Sequence, residues 1–141
     1  MSDINNYLEI LGKTNEIALA TAVNNIPNVR IVNFCFNADR PDILYFASDI
    51  TNNKIQEFEQ NNVIAFTTVP ADGGISHVRS ARAAVEKSGR TMDEMAQLFI
   101  STIPGYDEAI SAIGDALTVF EIHVKEAVVI TGFEEPSFVT F

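Results

Sequence analysis

Residues 28–54, with the sequence NVRIVNFCFNADRPDILYFASDITNNK, decide the predicted fold. Within them, 28–37 and 43–48 are rich in β-branched and aromatic side chains, which is typical of strands. The segment 38–42 between these strands contains Pro and Asp and has the composition of a turn. A helix is predicted to begin near Thr51, because threonine is a frequent N-cap residue. The stretch therefore predicts two strands joined by a turn, followed at once by a helix.

The residues before this stretch extend the pattern toward the N-terminus. A helix is predicted over residues 2–12, with Ser2 as its N-cap and apolar residues at i, i+3, i+4 and i+7. The strand predicted at 16–24 is joined to 28–37 by the turn sequence NNIPN, so the pair is predicted to form a hairpin. Three strands spaced this closely, with 43–48 as the third, indicate an antiparallel barrel or sandwich.

The residues after this stretch add further strands and helices. We predict, in chain order, a helix at 51–61, strands at 63–69 and 76–88, a helix at 91–103 with a capping box of Thr91 and Glu94, a short helix at 107–113, and one or two strands over 117–133. The tail is strongly apolar after Glu135. Because the sequence has no repeat and no linker, residues 1–141 are predicted to form one α+β domain in which strands dominate.

Charge and composition exclude several classes of function. The net charge is −10 with only nine Lys and Arg, which excludes binding to nucleic acid or an anionic membrane surface, since both need basic patches. A few local cations are still enough to bind an anionic cofactor. Cys35 is the one cysteine, the N-terminus lacks the features of a signal peptide, and no apolar run approaches the ~18 residues of a membrane span. These features predict a cytoplasmic protein.

Signatures of common catalytic sites are missing from the sequence. It contains no GxSxG elbow, no Walker lysine loop, no GxGxxG and no Cys/His metal cluster. With only His77 and His123 present, no catalytic triad and no metal site are predicted. We interpret His123, within FEIHVKE, as a solvated strand position, and His77, after a glycine loop, as structural. Cys35 has no adjacent His or Lys and is predicted to be a small core or cofactor-wall residue.

Two features of residues 28–54 indicate an anion-binding site. Arg30 lies mid-strand between two apolar residues, where a guanidinium needs an anionic partner unless it faces solvent. The segment ASDITNNK, 47–54, ends a strand and begins a helix, and free N–H groups at a helix N-terminus bind phosphate. Lys54 on the first turn adds a positive charge. Each cation alone is equally consistent with a solvated position, whereas the two together predict a phosphate clamp.

The order of these segments resembles the pyridoxamine 5′-phosphate oxidase-like family of FMN-binding split barrels. The resemblance covers roughly residues 4–85 and is carried by Ala20-Thr21-Ala22, by Pro27-Asn28-Val29-Arg30-Ile31-Val32, by Leu44-Tyr45-Phe46-Ala47-Ser48 running to Lys54, and by Asn61-Asn62-Val63-Ile64-Ala65. It implies a mainly β, antiparallel split β-barrel with a few peripheral helices. It also implies FMN as the cofactor and a homodimer with the cofactor site at its interface.

The resemblance further implies which residues bind FMN. The arginine would contact the phosphate, and the backbone after it would contact the edge of the isoalloxazine ring. The implied cofactor-binding residues are Arg30, Ile31, Val32, Asn33, Ala47, Ser48, Asn53 and Lys54. The family usually has a basic residue where Asn53 stands and a lysine where Cys35 stands. The strand HVRSARA resembles the dimer-interface strand of the family, which implies that His77 or Arg79 reaches the flavin of the neighbouring subunit.

The resemblance implies an FMN-dependent oxidoreductase that acts on a small-molecule substrate. The oxidases that give the family its name share a C-terminal substrate motif with Trp and Arg. This chain has no Trp and no Lys or Arg after Lys125, so that substrate is not assigned. Two alternatives remain open: a non-catalytic module that binds or stores flavin, deazaflavin or haem, and a structural dimer with an empty cleft.

Overall fold

The computed structural model describes residues 3–141, so the predicted N-cap at Ser2 lies outside the described residues. The helices are α1 (Asp3–Gly12), α2 (Asn53–Gln60), α3 (Met92–Thr102) and α4 (Tyr106–Ile113), with a 3-10 turn at Gly114–Ala116. The strands are β1 (Glu16–Val23), β2 (Ile26–Asn33), β3 (Cys35–Phe36), β4 (Ile43–Asp49), β5 (Val63–Thr68), β6 (His77–Lys87), β7 (Leu117–Ile130) and β8 (Ser137–Thr140). None of these helices is long and apolar enough to cross a bilayer.

The eight strands form one antiparallel sheet. Its order is β2-β1-β5-β6-β7-β4-β3, with β8 paired to β7. The long strands β6 and β7 run side by side through its centre, and register shifts between Arg79 and Ala83 interrupt their ladder. The sheet curls into a half-barrel with helices around it, which confirms the predicted antiparallel split β-barrel.

The main hydrophobic core lies on the inner face of the sheet, because side chains alternate between the two faces of each strand. Phe46 on β4 stacks on Phe120 of β7 with 5.4 Å between ring centroids, and Phe58 of α2 packs against both rings. This aromatic contact anchors α2 on the sheet and thereby positions its first turn. Other fully buried members of this core are Tyr7, Leu11, Ile17, Leu19, Phe34, Leu44, Val78, Ile122 and Val129.

A second hydrophobic core lies on the opposite face of β4, beneath α3 and α4. It contains Cys35, Ile43, Tyr45, Met92, Met95, Phe99, Ile103 and Val119. Thr91 and Glu94 form the predicted capping box at the start of α3. The Cys35 side chain is fully buried, and burial raises its pKa to about 12, so the thiol is protonated at neutral pH. The prediction that Cys35 is a core residue is therefore confirmed.

The hairpin between β1 and β2 is tighter than the turn composition of NNIPN indicated. Asn24 and Asn25 alone form the turn, with φ angles of 53° and 64°. Two positive φ angles are what a two-residue hairpin turn requires, and asparagine tolerates them better than most residues. The strand β2 therefore begins at Ile26, two residues before the predicted start.

The prediction of one continuous strand over 28–37 is wrong, because the strand is interrupted at Phe34. The chain pairs with β1 only up to Asn33, and Cys35–Phe36 pair with β4 instead. At the break, the Phe34 N–H donates to the Asn15 carbonyl over 2.9 Å, and the Phe34 ring is fully buried. An apolar run has the same residue pattern whether or not the chain changes its partner strand within it. The sequence pattern therefore did not predict the break at Phe34.

Two further predicted boundaries differ from the structure. The N-cap of α2 is Asn52 and not Thr51, since the Asn52 side chain accepts the Lys54 N–H over 3.1 Å. The Thr51 hydroxyl donates instead to the carboxylate of Asp49 over 2.9 Å. In addition, the apolar tail forms β8, an element that was missing from the predicted order, and the predicted strand or strands over 117–133 are the single strand β7.

Candidate functional site

Lys54 occupies the first turn of α2 and is the least exposed lysine or arginine that the structure describes. Its residue surface is only 9% exposed, and its ammonium makes no hydrogen bond or ion pair with any residue from Asp3 to Phe141. Every fully buried side-chain nitrogen among the described residues has a hydrogen-bond partner. Because the Lys54 Nζ has none, it is not fully buried and remains accessible to solvent. Burial, and after it the positive charge of Arg30, lowers the pKa of Lys54.

Arg30 lies on β2 directly opposite Leu19 of β1, with its side chain on the same sheet face. Its Nη1 donates to the Thr21 hydroxyl over 2.9 Å, and its Nη2 donates to Oε1 of Glu57 on α2. The Thr21 hydroxyl in turn donates to Oε2 of Glu57 over 2.9 Å. These three side chains tie β2, β1 and α2 together.

The structure thus brings the two predicted clamp cations, Arg30 and Lys54, to the same place. We call Lys54, Arg30, Thr21 and Glu57 the Lys54 cluster. Sequence reasoning missed Glu57 and Thr21, although a signal exists for the first. Glu57 stands three residues after Lys54, a spacing that puts two side chains on neighbouring positions of one helix face. The guanidinium that was predicted to contact phosphate is held by the Glu57 carboxylate.

Ala47 and Ser48, at the end of β4, lie on opposite faces of the sheet. Ser48 is buried, and its hydroxyl donates to the neighbouring Asp49 carbonyl over 3.4 Å. Ala47 packs against the second core beneath α3. Asn53, the first residue of α2, is exposed. Of these three predicted contacts, Ser48 faces the inner side of the sheet and Ala47 does not.

The residues that follow Arg30 alternate in the same way. Val32 packs against the main core, whereas Ile31 points to the outer face of the sheet and is 55% exposed. Asn33 also lies on that outer face and its amide donates to the side chain of Asn15 over 3.1 Å. The side chains of the predicted FMN contacts on β2 therefore point to both faces of the sheet.

The two histidines lie away from the Lys54 cluster. His77 Nδ1 lies 2.7 Å from the Ile75 carbonyl, a local contact consistent with its structural interpretation. His123 lies on β7 with its side chain 37% exposed, and its Nε2 lies 2.9 Å from a carboxylate oxygen of Glu86 and 2.9 Å from one of Glu121, two contacts that the interpretation as a solvated position did not include. The cause is cross-strand pairing, since Glu86 and Glu121 stand opposite each other on β6 and β7. We call these three residues the His123 cluster.

The His123 cluster is the one group of metal-ligand type found among residues 3–141. One ligand atom from each of its three residues lies within 4.8 Å of the others. Both carboxylates are already in contact with the same imidazole nitrogen, and the second oxygen of Glu121 accepts the Ser88 hydroxyl over 2.6 Å. These contacts account for the arrangement without an ion.

One cavity of the chain has no residue of the Lys54 cluster in its wall. It has a volume of about 550 Å³ and lies between α1 and the loop after β5, where Glu9, Thr14, Thr68 and Asp72 contribute to its wall. Two smaller cavities also contain no residue of the Lys54 cluster.

A curled antiparallel sheet with a short helix after β4 defines the class of split-barrel proteins. A sequence profile described as pyridoxamine 5′-phosphate oxidase-like matches residues 10–135. The chain belongs to the pyridoxamine 5′-phosphate oxidase-like family. No curated protein sequence matches it.

Solved structures with similar folds carry several different descriptions. General stress protein 26 from Bacillus anthracis matches at 15% identity, with a TM-score of 0.72 over 100% of both chains. A NimC/NimA family protein from Clostridium acetobutylicum matches at 18% identity, with a TM-score of 0.68 over 98% of this chain and 92% of that one. A haem binding protein from Mycobacterium smegmatis matches at 14% identity, with a TM-score of 0.77 over 99% of this chain. This chain spans 58% of the length of the haem binding protein. At these identities the similarity establishes the fold alone.

Proposed function

We propose that this chain binds FMN, with the phosphate of the cofactor at the Lys54 ammonium. The observation that carries the proposal is Lys54, a residue with only 9% of its surface exposed whose ammonium has no hydrogen bond or ion pair among the described residues. A charged group in this position is costly unless an opposite charge compensates it. A phosphate at the start of α2 would supply that charge, and the N-terminus of a helix favours it as well.

The family resemblance supports FMN as the source of the phosphate. It implies that the isoalloxazine edge would lie along the backbone after Arg30. The predicted residues Val32, Asn33, Ala47, Ser48 and Asn53 remain part of the proposed FMN contact set. When bound, FMN would supply hydride or electron transfer, and the protein would bind and orient it.

We further propose that the site is completed in a homodimer. The outer face of the sheet carries exposed apolar side chains on three strands. Its most exposed members are Val29 (63%), Ile31 (55%), Val63 (56%) and Phe138 (59%). An apolar face of this kind indicates a protein interface, and a second copy of the chain would bury it symmetrically.

The proposed activity is that of an FMN-dependent oxidoreductase with a small-molecule substrate, acting in the cytoplasm. The alternative is a module that holds flavin, deazaflavin or haem without turnover. The description of the M. smegmatis neighbour as a haem binding protein favours keeping that alternative. Turnover with a nicotinamide donor and an electron acceptor separates the two.

The test of the proposal is the spectrum and mass of the group that co-purifies with the protein. We expect the absorbance bands of oxidised flavin and the mass of FMN. Apo-protein titrated with FMN should quench flavin fluorescence at one site per subunit. A Soret band, or a chain that binds neither FMN nor riboflavin at micromolar concentration, would contradict FMN binding. A monomer by light scattering would contradict the shared site.

A further inference from the structure

We propose that Glu57 sets the selectivity of the Lys54 cluster between phosphorylated and unphosphorylated ligands. The Glu57 carboxylate holds the guanidinium of Arg30, which a phosphate would otherwise bind. The inference rests on the proposed flavin site, and it concerns a residue that neither the sequence pattern nor the family resemblance assigned. The ligand class is an aromatic ring system with or without a terminal phosphate.

The first step is the geometry of the contact. Both carboxylate oxygens of Glu57 are used, one by Arg30 Nη2 and the other by the Thr21 hydroxyl. Arg30 Nη1 closes the triangle by donating to the same hydroxyl over 2.9 Å. Each side chain is thus held by the other two, and the guanidinium of Arg30 cannot turn fully toward a ligand without breaking this triangle.

The second step is the charge of the site. Lys54 and Arg30 contribute two positive charges and Glu57 one negative charge, which leaves one surplus positive charge at Lys54. A phosphate that approaches the Arg30 guanidinium also approaches the Glu57 carboxylate, which contacts that guanidinium, and is repelled by it. The side chains of Arg30 and Glu57 are only 21% and 19% exposed, so water screens this repulsion less than at a fully exposed position.

The consequence is a penalty that falls on the phosphate and not on the ring. FMN must either displace Glu57 from Arg30 or bind with Lys54 as its single cation. Riboflavin carries the same ring without the phosphate and meets neither obstacle. We therefore expect the natural chain to prefer FMN over riboflavin only weakly, and we expect Glu57 to be the cause.

The experiment compares Glu57→Gln with Glu59→Gln. The glutamine amide introduced at position 57 has the shape of the carboxylate but no negative charge. Its oxygen can accept from Arg30, and its NH2 group can donate to the Thr21 hydroxyl, which reverses the direction of that hydrogen bond. Glu59 lies on the same helix, is exposed, and makes no ion pair among the described residues, so its variant loses the same charge without touching Arg30. Apo forms of the natural chain and both variants are titrated with FMN and with riboflavin by calorimetry.

We expect Glu57→Gln to raise the affinity for FMN roughly tenfold and to leave riboflavin unchanged. Glu59→Gln should change neither affinity by more than about twofold. Equal gains for FMN and riboflavin, or equal effects of the two variants, overturn the selectivity role of Glu57.

A second measurement separates this inference from the proposed function. Inorganic phosphate is titrated into the same three proteins while the side-chain NMR signals of Arg30 are followed. If none of the proteins binds either flavin, the proposed function is wrong and the phosphate titration decides the role of Glu57. In that titration, we expect phosphate to shift the NMR signals of Arg30 at a lower concentration in Glu57→Gln than in Glu59→Gln. No difference between the two variants overturns the inference.

Discussion

The Lys54 cluster and the His123 cluster carry opposite surplus charges. The first contains two cations for one carboxylate, and the second contains two carboxylates for one imidazole nitrogen. On a chain with a net charge of −10, surplus negative charge is ordinary and surplus positive charge is not. The two clusters therefore differ in the balance of charge within each cluster and not in the presence of charged residues.

Burial separates the two clusters further. In the His123 cluster, the Glu86 side chain is 63% exposed and solvated, whereas the Glu121 side chain is 15% exposed and accepts hydrogen bonds from its neighbours, among them the Ser88 hydroxyl over 2.6 Å. Lys54 has only 9% of its residue surface exposed, and its ammonium has no partner in residues 3–141. An exposed surplus charge has little effect on the free energy of folding, whereas a desolvated charge destabilises the fold unless an opposite charge compensates it. The Lys54 cluster therefore supports the proposed phosphate contact, whereas the contacts within the His123 cluster account for its charges.

The largest expected effect is that of Lys54→Met on FMN binding. Loss of the ammonium should weaken FMN roughly ten- to hundredfold, since a charge-assisted contact contributes about 1.5–3 kcal/mol. Riboflavin should bind as before. Fluorescence titration of the apo-protein measures both. Lys125→Met is the matched control, because Lys125 is an exposed lysine on β7. If the two variants lose FMN equally, the comparison between the clusters breaks down.

The next effect is that of Arg30→Ala on stability. The substitution leaves the Glu57 carboxylate and the Thr21 hydroxyl without their shared donor, and it should lower the free energy of unfolding by about 1–3 kcal/mol. Urea unfolding measures this value, and Arg90→Ala, at an exposed position between β6 and α3, serves as the control. A double-mutant cycle with Glu57→Gln should show coupling between the two residues. Additive effects would falsify the Arg30–Glu57 pairing.

A pH dependence should distinguish Lys54 from the other lysines. Burial lowers the pKa of Lys54 in the folded chain, so the unfolded chain binds more protons between the lowered pKa and the ordinary value of 10.5. The penalty from Lys54 is therefore complete at low pH and fades as pH rises through that window. The stability gained by Lys54→Met should shrink over the same window, as unfolding at several pH values would reveal. A pH-independent difference contradicts the desolvation of Lys54.

The smallest effect is expected at the His123 cluster. His123→Gln should change the free energy of unfolding by about 0–1 kcal/mol, because the His123 and Glu86 side chains are 37% and 63% exposed. FMN affinity should be unchanged, since the cluster lies apart from Lys54 and Arg30. The same titration and urea series measure both quantities. A loss of FMN binding in this variant would contradict the proposed location of the FMN site at the Lys54 cluster.

Much of the fold was accessible from the sequence because it depends on local patterns. The apolar run in ILYFAS, the capping pair Thr91 and Glu94, and the spacing of the α1 face each indicate one element without reference to the rest. The family match over residues 10–135 confirms the resemblance drawn from the order of those elements. The break at Phe34 and the strand β8 were missed, since both are determined by which strand is the neighbour.

The candidate site divides in the same way. The sequence by itself determined that Arg30 stands inside a strand and that Lys54 stands on the first turn of a helix, because each position follows from its local pattern. Only the tertiary structure decided that α2 packs across β1, so that Glu57 meets Arg30 and Thr21 while the Lys54 ammonium is left without a partner among the described residues. The sequence states which positions carry a charged residue, but the packing of the elements determines which partner that residue meets. Pairing depends on distances of a few ångströms between segments far apart in the chain, which no local pattern encodes.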